Sequence, residues 1–335
     1  MTSIKTPYLI FLGDAPLDMG AKTAEGVLFW RPDYCLGQWR MPEGRLDLGL
    51  PSFSFEDAVR NGAHTLLIGV TNAGGRLPDH WVPHLSRAVE SGLDIASGLH
   101  DKLNDIVPLK ETAQRHNRLL HDVRYPPMGR LPMGTGKKRE GKRALMVGTD
   151  CAVGKKFTAL ALHREMQAQG RKATFRATGQ TGILIAGEGV AIDAVPSDFI
   201  AGIAEALSPD NEADHWDIIE GQASVLHPAY GGVTLGLVHG SQPDAMILCH
   251  QPGRINVRGL PHRRVPSLKE TIAAHEAAAH LTNLEAKVVG ISVNTHHLDK
   301  DEAQKIISDT EQEMALPTTD PIRFGAEKLV VAIGN

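Results

Sequence analysis

Short apolar runs alternate with longer segments of helical periodicity along most of the chain. Runs such as Tyr8–Gly13 and Thr65–Val70 are apolar at nearly every position, which is typical of parallel strands buried on both faces. Between and after them, apolar residues recur three and four positions apart, as in amphipathic helices. This β–α rhythm predicts an α/β protein built on parallel sheets covered by helices.

The second half of the chain repeats the rhythm. Its predicted strands share an apolar run that ends in a polar or glycine-containing turn: Ala144–Gly148, Lys172–Thr178, Trp216–Glu220, Ala245–His250, Val288–Asn294 and Leu329–Ile333. The predicted helices of the whole chain include Phe55–Asn61, Val82–Ser91, Leu109–Asn117, Phe157–Gln169 and Ser267–Leu281. Ser267 and Glu270 have the spacing of a capping box at the start of the last helix.

A change in composition divides the chain into two parts. Residues 126–143 are rich in proline, glycine and basic residues and have no hydrophobic period, which predicts an inter-domain linker. We therefore expect a Rossmann-like domain at residues 1–125 and a second α/β domain at residues 144–335. A length of 335 residues agrees with two domains. The first part has no GxGxxG motif, so dinucleotide binding is not predicted there.

Composition and charge exclude several classes of protein. Hydrophobic residues make up 42% of the chain, charged residues 22%, and the net charge is −4, which is typical of a globular protein that binds no nucleic acid. No stretch has the length of a transmembrane helix, and the first residues do not resemble a signal peptide. The three cysteines lie far apart, as expected for a reducing compartment. A cytoplasmic protein without membrane contact is predicted.

One strand–turn–helix segment carries the pattern of a phosphate-binding loop. The strand Ala144–Gly148 runs into a loop with glycine at both ends and then into a predicted helix, which is the context that a P-loop requires. Backbone N–H groups and the helix dipole bind phosphate there, and the lysine adds a positive charge. The second domain is therefore predicted to be a P-loop NTPase-like domain. Its predicted ligand contacts are Gly148, Thr149, Asp150, Cys151, Ala152, Val153, Gly154, Lys155 and Lys156.

The loop departs from the standard ATP-binding pattern after Lys155. A serine or threonine at the next position normally holds Mg²⁺ on a nucleoside triphosphate, and this chain has Lys156 there. Thr158 lies two residues further along the helix, which turns its hydroxyl about 200° away. The loop also has five residues between its glycines instead of four. We therefore expect a site that binds phosphate groups but holds Mg²⁺ poorly, and we predict no metal site.

Polar residues follow several predicted strands, where the ligand loops of parallel sheets lie. Glu220 ends the strand Trp216–Glu220 and is the first candidate for a general base. A strand beside the P-loop strand commonly delivers a carboxylate to the phosphates, although a strand-end acid can also be merely solvated. Asp193 and His227 are the other catalytic candidates.

Arginines and amides in the same loops are candidates for binding the substrate. Arg254, Arg176 and Arg124 are predicted to bind carboxylates, because a guanidinium pairs with a carboxylate through two parallel hydrogen bonds. Gln180 and Gln222 lie in loops after predicted strands and are further candidates.

Two resemblances rest on these residues. The segment GTDCAVGK, the later IIEG and the strand-end Asn294 are similar to the phosphate loop of dethiobiotin synthetases. Those enzymes use ATP and Mg²⁺ to close a ring on a carboxylated diamine. Their loop has threonine where this chain has Lys156, which argues against the same chemistry here.

The second resemblance covers nearly the whole chain. Its segments are GVTNAGGRLP, DIASGLH, DVRYPP, GTDCAVGKK, ATGQTGILIAG, VPSDFIAG, EGQASVLHPAYGG and CHQPGR. With them the chain resembles a two-domain P-loop family that includes the DgcN-type D-glutamate N-acetyltransferases. The resemblance implies an amino-acid N-acetyltransferase, acetyl-CoA as co-substrate and an N-acetyl-D-glutamate racemase as functional neighbour.

These observations combine into one hypothesis with two alternatives. The P-loop holds the phosphates of acetyl-CoA, an acidic amino acid binds to arginines, and a general base frees its amine to attack the thioester. One alternative is an ATP- and Mg²⁺-dependent ligase or kinase, in which Asp150 and Glu220 hold the metal. The other is a nucleotide-binding regulatory protein without turnover. A homo-oligomer is the expected assembly.

Overall fold

The computed structural model describes residues 2–16, 21–70, 75–126 and 131–334. The strands in chain order are β1 Thr2–Ser3, β2 Tyr8–Gly13, β3 Cys35–Arg40, β4 Thr65–Ile68, β5 Asp94–Ser97, β6 Leu120–Asp122, β7 Lys142–Gly148, β8 Ala173–Arg176, β9 Glu188–Gly189, β10 Trp216–Ile219, β11 Ala245–His250, β12 Asn256–Val257, β13 Leu260–Arg264, β14 Lys287–Val293 and β15 Thr318–Thr319. The α-helices are α1 Lys22–Trp30, α2 Phe55–Arg60, α3 Val82–Glu90, α4 Val107–Arg115, α5 Lys155–Ala168, α6 Gln180–Ala186, α7 Ser197–Leu207, α8 Gly231–Ser241, α9 Leu268–Ala279, α10 Lys300–Met314 and α11 Glu327–Ile333.

The chain divides into two compact units. The first contains Met1–Pro127 and Gly179–Ala194, and the second contains Met128–Thr178 and Val195–Asn335. The sequence predicted residues 144–335 as one uninterrupted domain, whereas the structure assigns Gly179–Ala194 to the first unit. There β9 pairs with β1, and the Tyr8 hydroxyl donates to the Leu184 carbonyl at 3.0 Å. Of the predicted linker 126–143, residues 127–130 lie outside the described residues.

The first unit is built on a five-stranded parallel sheet in the order β3-β2-β4-β5-β6. Every residue of β2 is buried, because helices or loops cover both faces of such a sheet. Phe11 on β2 stacks on Trp39 and meets Trp81 edge-on, with ring centroids 5.1 Å apart in both pairs. The aromatic side chains therefore fill the core on one face of this sheet.

The second unit is built on a six-stranded parallel sheet in the order β15-β14-β11-β7-β10-β8. The strand β7 lies in the middle, between β11 and β10, and all strand pairs are parallel. Consequently the loops after these strands meet at one edge of the sheet, where ligands bind in open α/β folds. The predicted α/β class, with parallel sheets in both halves of the chain, is confirmed.

Helix boundaries follow local chemistry. The helix α5 begins directly at the P-loop, and α9 begins with a complete capping box between Ser267 and Glu270, as the sequence predicted. None of the helices formed by the described residues combines the length and the apolar character that a bilayer crossing requires.

The predicted strand Leu329–Ile333 is wrong, because these residues belong to α11. Leu329, Val330 and Ile333 are buried, whereas Val331 is 71% exposed. This is the spacing of one buried helix face, and a five-residue apolar run does not distinguish it from a buried strand.

Candidate active site

The loop between β7 and α5 presents a cluster of free backbone donors. Among the described residues, five consecutive N–H groups donate no well-aligned hydrogen bond, those of Ala152, Val153, Gly154, Lys155 and Lys156. Such unpaired N–H groups at a helix N-terminus form a receptor for an anion. The geometry of a P-loop is therefore present.

Small residues shape this loop. A Cβ atom on Gly148 would lie 3.0 Å from the Lys155 Nζ atom, and Gly154 adopts a φ of +109°. Ala152 also adopts a positive φ, +52°, which is costly for a residue with a side chain. The backbone turn is therefore held in place by the contacts around it.

Lys155 lies under the loop and is 6% exposed. Its ammonium group donates to the carbonyl oxygen of Asp150 at 2.7 Å. Burial lowers the pKa of Lys155, and the nearby Cys249, Cys151 and Asp150 side chains oppose that shift. An anion bound to the loop would compensate this buried charge.

Asp150 is the centre of a network that fixes the loop. Its carboxylate is fully buried and accepts hydrogen bonds from the Arg254 guanidinium at 2.9 Å, from the Arg258 N–H at 2.8 Å and from the Cys151 N–H at 2.6 Å. Arg254 also donates to the carbonyls of Cys151 and Ala152, at 2.6 and 3.2 Å. Arg254 thus binds the P-loop itself, and its predicted contact with a substrate carboxylate stays a prediction.

His227 lies behind Asp150, with its ring stacked on Tyr230. Its Nδ1 atom accepts from the N–H groups of Ala229 and Tyr230, both at 3.2 Å. The proton of the neutral ring is therefore assigned to Nε2, which faces Asp150 Oδ1 at 3.7 Å. Burial lowers the pKa of His227, and the Asp150 charge opposes this shift.

Asp150, Cys151 and His227 place three possible metal-ligand atoms within 4.8 Å of one another. A metal-bound histidine needs a lone pair on the nitrogen that faces the metal, and its other nitrogen normally donates a hydrogen bond. Here Nδ1 accepts two hydrogen bonds, and Asp150 is bound by Arg254 and Arg258. These bonds favour a hydrogen-bonded network over a metal site.

The residues after Lys155 differ from those of an Mg²⁺-binding P-loop. The Thr158 hydroxyl donates to the Gly154 carbonyl at 3.1 Å and contacts the Ser292 hydroxyl at 2.7 Å, so it faces the sheet. Lys156 is half-buried; burial lowers its pKa, and the charge of Glu220 opposes that shift. Its neighbour Phe157 exposes 38% of its surface.

Glu220 follows β10, the strand beside the P-loop strand, and is 5% exposed. Its carboxylate accepts from the Thr178 N–H at 3.0 Å, and the Thr178 hydroxyl donates to the Glu220 carbonyl at 2.6 Å. Gln222 donates to the same hydroxyl at 3.0 Å. Gly221 is required between them, because a Cβ atom there would lie 1.5 Å from the Met146 carbonyl oxygen.

Two histidines, the half-buried His250 and the buried His275, support the loops of the site. His250 ends β11, and its Nδ1 atom lies 3.0 Å from the Thr149 hydroxyl. His275 on α9 contacts the Thr271 carbonyl at 2.8 Å and accepts from the Val225 N–H at 3.4 Å. Burial lowers the pKa of both rings to about 4, and Arg254 adds to the shift at His250. Both histidines are therefore neutral at physiological pH.

The remaining predicted substrate residues lie in different surroundings. Arg176 at the end of β8 donates to the buried Asp217 carboxylate at 2.7 Å. Gln180, Arg124 and Asp193 belong to the first unit, where Asp193 is exposed and Gln180 packs against Gly98. Their roles in binding or catalysis stay predictions.

A cavity of about 370 Å³ adjoins the P-loop. Its lining combines apolar side chains with a few polar groups: Val153, Gly154, Phe157, Thr158, Ser292, Val293, Asn294, His296, Asp320, Pro321, Ile322 and Arg323. Asn294 accepts from the His296 N–H and contacts the His296 ring through its amide oxygen. Its amide NH₂ has no partner among the described residues. This mixture is typical of a small-molecule site.

The fold and this site define a P-loop protein with a second, Rossmann-like unit. The profile of a P-loop domain of unknown function, DUF1611_C, matches residues 132–330, and that of a Rossmann-like domain, DUF1611_N, matches residues 45–126. The chain belongs to this DUF1611 family, as its motifs predicted.

Relatives of known name cover almost the whole chain. It is 53% identical to a D-glutamate N-acetyltransferase of Tritonibacter scottomollicae, over 98% of this chain and 99% of the relative. It is 47% identical to a D-glutamate N-acetyltransferase of Pseudoalteromonas sp., over 98% of both chains. A crystal structure of a DUF1611 family protein from Anabaena variabilis superposes with a TM-score of 0.82, at 34% identity, over 98% of this chain and 99% of that one. The relatives are acyltransferases, which confirms the predicted enzyme class.

Sequence patterns did not identify two of the residues that hold the site together. Thr178, which binds the Glu220 carboxylate, lies 42 residues away from it, and Arg258 binds Asp150 from 108 residues further along the chain. The polar turns after the strands indicated where ligand-binding residues lie. They did not indicate which residues pair, because the partners are far apart in the sequence.

Proposed function

We propose that this protein transfers an acetyl group from acetyl-CoA to the amino group of D-glutamate. The observation that carries the proposal is the 53% identity over 98% of the chain to a D-glutamate N-acetyltransferase. Because the match covers 98% of this chain and 99% of the relative, neither of the two sequences compared has an additional domain that could carry a different site. The substrate class is therefore an acidic amino acid, and the reaction is amide formation from a thioester.

The P-loop is proposed to hold the phosphates of coenzyme A. Five free N–H groups and the buried Lys155 form the anion receptor, and Lys156 stands where an ATP-binding loop has its Mg²⁺ ligand. Coenzyme A carries a pyrophosphate and a 3′-phosphate that need no cleavage, so cationic side chains can replace the metal. Asp150, the other Mg²⁺ candidate, is occupied by Arg254 and Arg258.

The cavity beside the loop is proposed to take the adenosine end of the donor. Its volume of about 370 Å³ lies in the usual range for small-molecule sites. The Phe157 side chain is 38% exposed in the cavity wall, and the Asn294 amide offers an unpaired donor. Both groups suit a flat heterocycle with nitrogen acceptors.

Glu220 is proposed as the general base. It is buried at the strand end beside the P-loop, and the Thr178 N–H orients its carboxylate. It removes a proton from the substrate ammonium group, and the free amine attacks the thioester carbonyl carbon. The carbon–sulfur bond then breaks, and the thiolate of coenzyme A leaves and is protonated. The intermediate oxyanion needs a separate N–H donor, because the loop N–H groups hold the donor phosphates.

A direct assay tests this function. Purified protein is incubated with acetyl-CoA and D-glutamate in EDTA, and N-acetyl-D-glutamate and free thiol are measured. Formation of both in equal amounts supports the proposal, and Glu220→Gln is expected to lower kcat by about a hundredfold or more while acetyl-CoA still binds. Product that forms only with ATP and Mg²⁺ would move the protein to the ligase or kinase class. Donor binding without any product would favour a regulatory protein.

The proposal also includes the location, the assembly and the functional neighbour of the enzyme. They are a cytoplasmic location, a homo-oligomeric assembly and an N-acetyl-D-glutamate racemase as functional neighbour. The acetylated product has lost its charged ammonium group, so the reaction that consumes it must recognise an N-acyl dicarboxylate.

A further inference from the structure

Basic residues are concentrated in the hairpin of β12 and β13 and just before it. This segment contacts Asp150 of the P-loop, although it lies about a hundred residues further along the chain. The basic residues are Arg254, Arg258, His262, Arg263 and Arg264. Val257 pairs with Leu260, so Arg258 and Gly259 form the turn at the tip. Gly259 adopts a φ of +79°, which glycine accommodates at the third position of a tight turn.

The tip of this hairpin is attached to the P-loop. The Arg258 N–H donates to Asp150 Oδ2 at 2.8 Å, while the Arg254 guanidinium holds the base of the hairpin to Asp150 at 2.9 Å and to the Cys151 carbonyl at 2.6 Å. The N–H of the second turn residue is not used within a β-turn, so it is available for this contact. The backbone of Arg258 is therefore fixed against a fully buried carboxylate.

The Arg258 guanidinium, in contrast, is uncommitted. It is exposed, and among the described residues it has no hydrogen-bond acceptor or carboxylate partner. Arg254 and Arg176 are bound to Asp150 and Asp217. The positive charge of Arg258 acts on the P-loop electrostatically. Burial raises the pKa of the Cys151 thiol, and the positive charges of Lys155, Arg258 and Arg254 oppose that shift.

We propose that Arg258 binds an oxyanion of a reactant at the mouth of the P-loop, through its free guanidinium. This inference rests on the proposed acetyl transfer, which brings together a dicarboxylate and a phosphate-bearing donor. Both carry the planar or tetrahedral oxyanions that a guanidinium binds through two hydrogen bonds. Because the backbone is already fixed, binding has to order only the side chain.

The test replaces the side chain and keeps the backbone contact. Arg258→Gln is compared with Arg263→Gln, a control that removes an exposed charge from the same hairpin. We expect Arg258→Gln to raise one KM by about tenfold to a hundredfold, Arg258→Lys to recover part of the loss, and the control to stay within about twofold. A rise in the KM for D-glutamate, with weaker preference for D-glutamate over D-glutamine, identifies a substrate carboxylate. A rise in the KM for acetyl-CoA identifies a donor phosphate.

Failure of this inference is distinct from failure of the proposed function. If wild type forms product and Arg258→Gln keeps both KM values within about twofold, the role of Arg258 is contradicted. If wild type forms no product, the proposed function fails. In that case, calorimetric titration of wild type and Arg258→Gln with coenzyme A, D-glutamate and pyrophosphate tests separately whether Arg258 binds an oxyanion. Weaker binding of any of them by the variant supports the inference, and equal affinities overturn it.

Discussion

The two units of this chain share a parallel-sheet architecture but use their buried carboxylates differently. In the first unit, the buried Asp94 accepts from the Leu119 N–H at 2.8 Å, and the half-buried Asp122 accepts from the Leu103 N–H at 2.6 Å. Each therefore holds a segment of its own fold. In the second unit, Asp150 lies within a loop that has unpaired N–H groups, and Glu220 follows the neighbouring strand.

The comparison distinguishes charged residues that only stabilise the fold from charged residues that are arranged to bind a ligand. In both units these carboxylates accept backbone N–H groups, which stabilises the chain locally. Around the P-loop, Lys155 is buried, and free donors remain. Such an arrangement is incomplete until an anion is bound, so the buried Lys155 should affect binding more than stability.

The largest expected effect is that of Lys155→Ala. Loss of a charged contact to phosphate costs about 3 kcal/mol, so the affinity for acetyl-CoA should fall roughly a hundredfold. Because Lys155 is desolvated in the fold, the melting temperature should stay the same or rise. Calorimetry and thermal unfolding measure the two quantities. Lys110→Ala on α4 is the control, because Lys110 is an exposed lysine of the first unit. If both variants bind acetyl-CoA equally well, Lys155 does not contribute to donor binding.

Asp150→Asn and Asp94→Asn compare the two units directly. The first change breaks a buried ion pair with Arg254 and should lower the free energy of unfolding by about 3 kcal/mol. It should also weaken acetyl-CoA binding, because the loop loses its anchor. The second should cost about 1 kcal/mol and leave kcat and KM unchanged. Urea unfolding and steady-state kinetics check both, and normal donor affinity in Asp150→Asn would contradict the role of the network.

The stability of the second unit should depend on pH through His250 and His275. Their folded-state pKa of about 4 lies below the ordinary value of 6.5, so the unfolded chain binds protons first as the pH falls. The stabilisation by neutral histidine is complete above about pH 6.5 and is lost between about pH 6.5 and 4, by up to roughly 3 kcal/mol per residue. Urea unfolding at about pH 7, 5.5 and 4.5 measures it. His275→Gln should flatten the curve, and an unchanged slope would exclude His275 as a cause.

Among the P-loop variants, the smallest expected effect on donor binding is that of Lys156→Thr, which restores the hydroxyl of an ATP-binding loop. Removing one positive charge near the donor phosphates should weaken acetyl-CoA binding about tenfold in EDTA. Lys156→Arg should bind within about threefold of wild type, because it keeps the charge. If the threonine variant binds acetyl-CoA as tightly as wild type, Lys156 does not contact the donor.

The sequence predicted the elements that depend on local patterns. The P-loop, its strand and its helix follow from GTDCAVGKK between two apolar segments, and the capping box of α9 follows from Ser267 and Glu270. The helix α11 was missed because Leu329–Ile333 is too short to show its period.

The site was predicted only in part, because its pairings are tertiary. Arg254 was recognised as a candidate for binding carboxylates, yet the carboxylate that it contacts is Asp150, 104 residues away. The assignment of Gly179–Ala194 to the first unit likewise depends on β9 pairing with β1. The local sequence indicates neither the contact between Arg254 and Asp150 nor the pairing of β9 with β1. Both are visible only in the folded chain.

The central claim is that this P-loop binds acetyl-CoA without Mg²⁺. Calorimetric titration of wild type with acetyl-CoA and with ATP, each in EDTA and in Mg²⁺, tests it most directly. We expect acetyl-CoA to bind with the same affinity in both buffers, and ATP to gain little from Mg²⁺. Binding of ATP that requires Mg²⁺, together with no binding of acetyl-CoA, would contradict the claim.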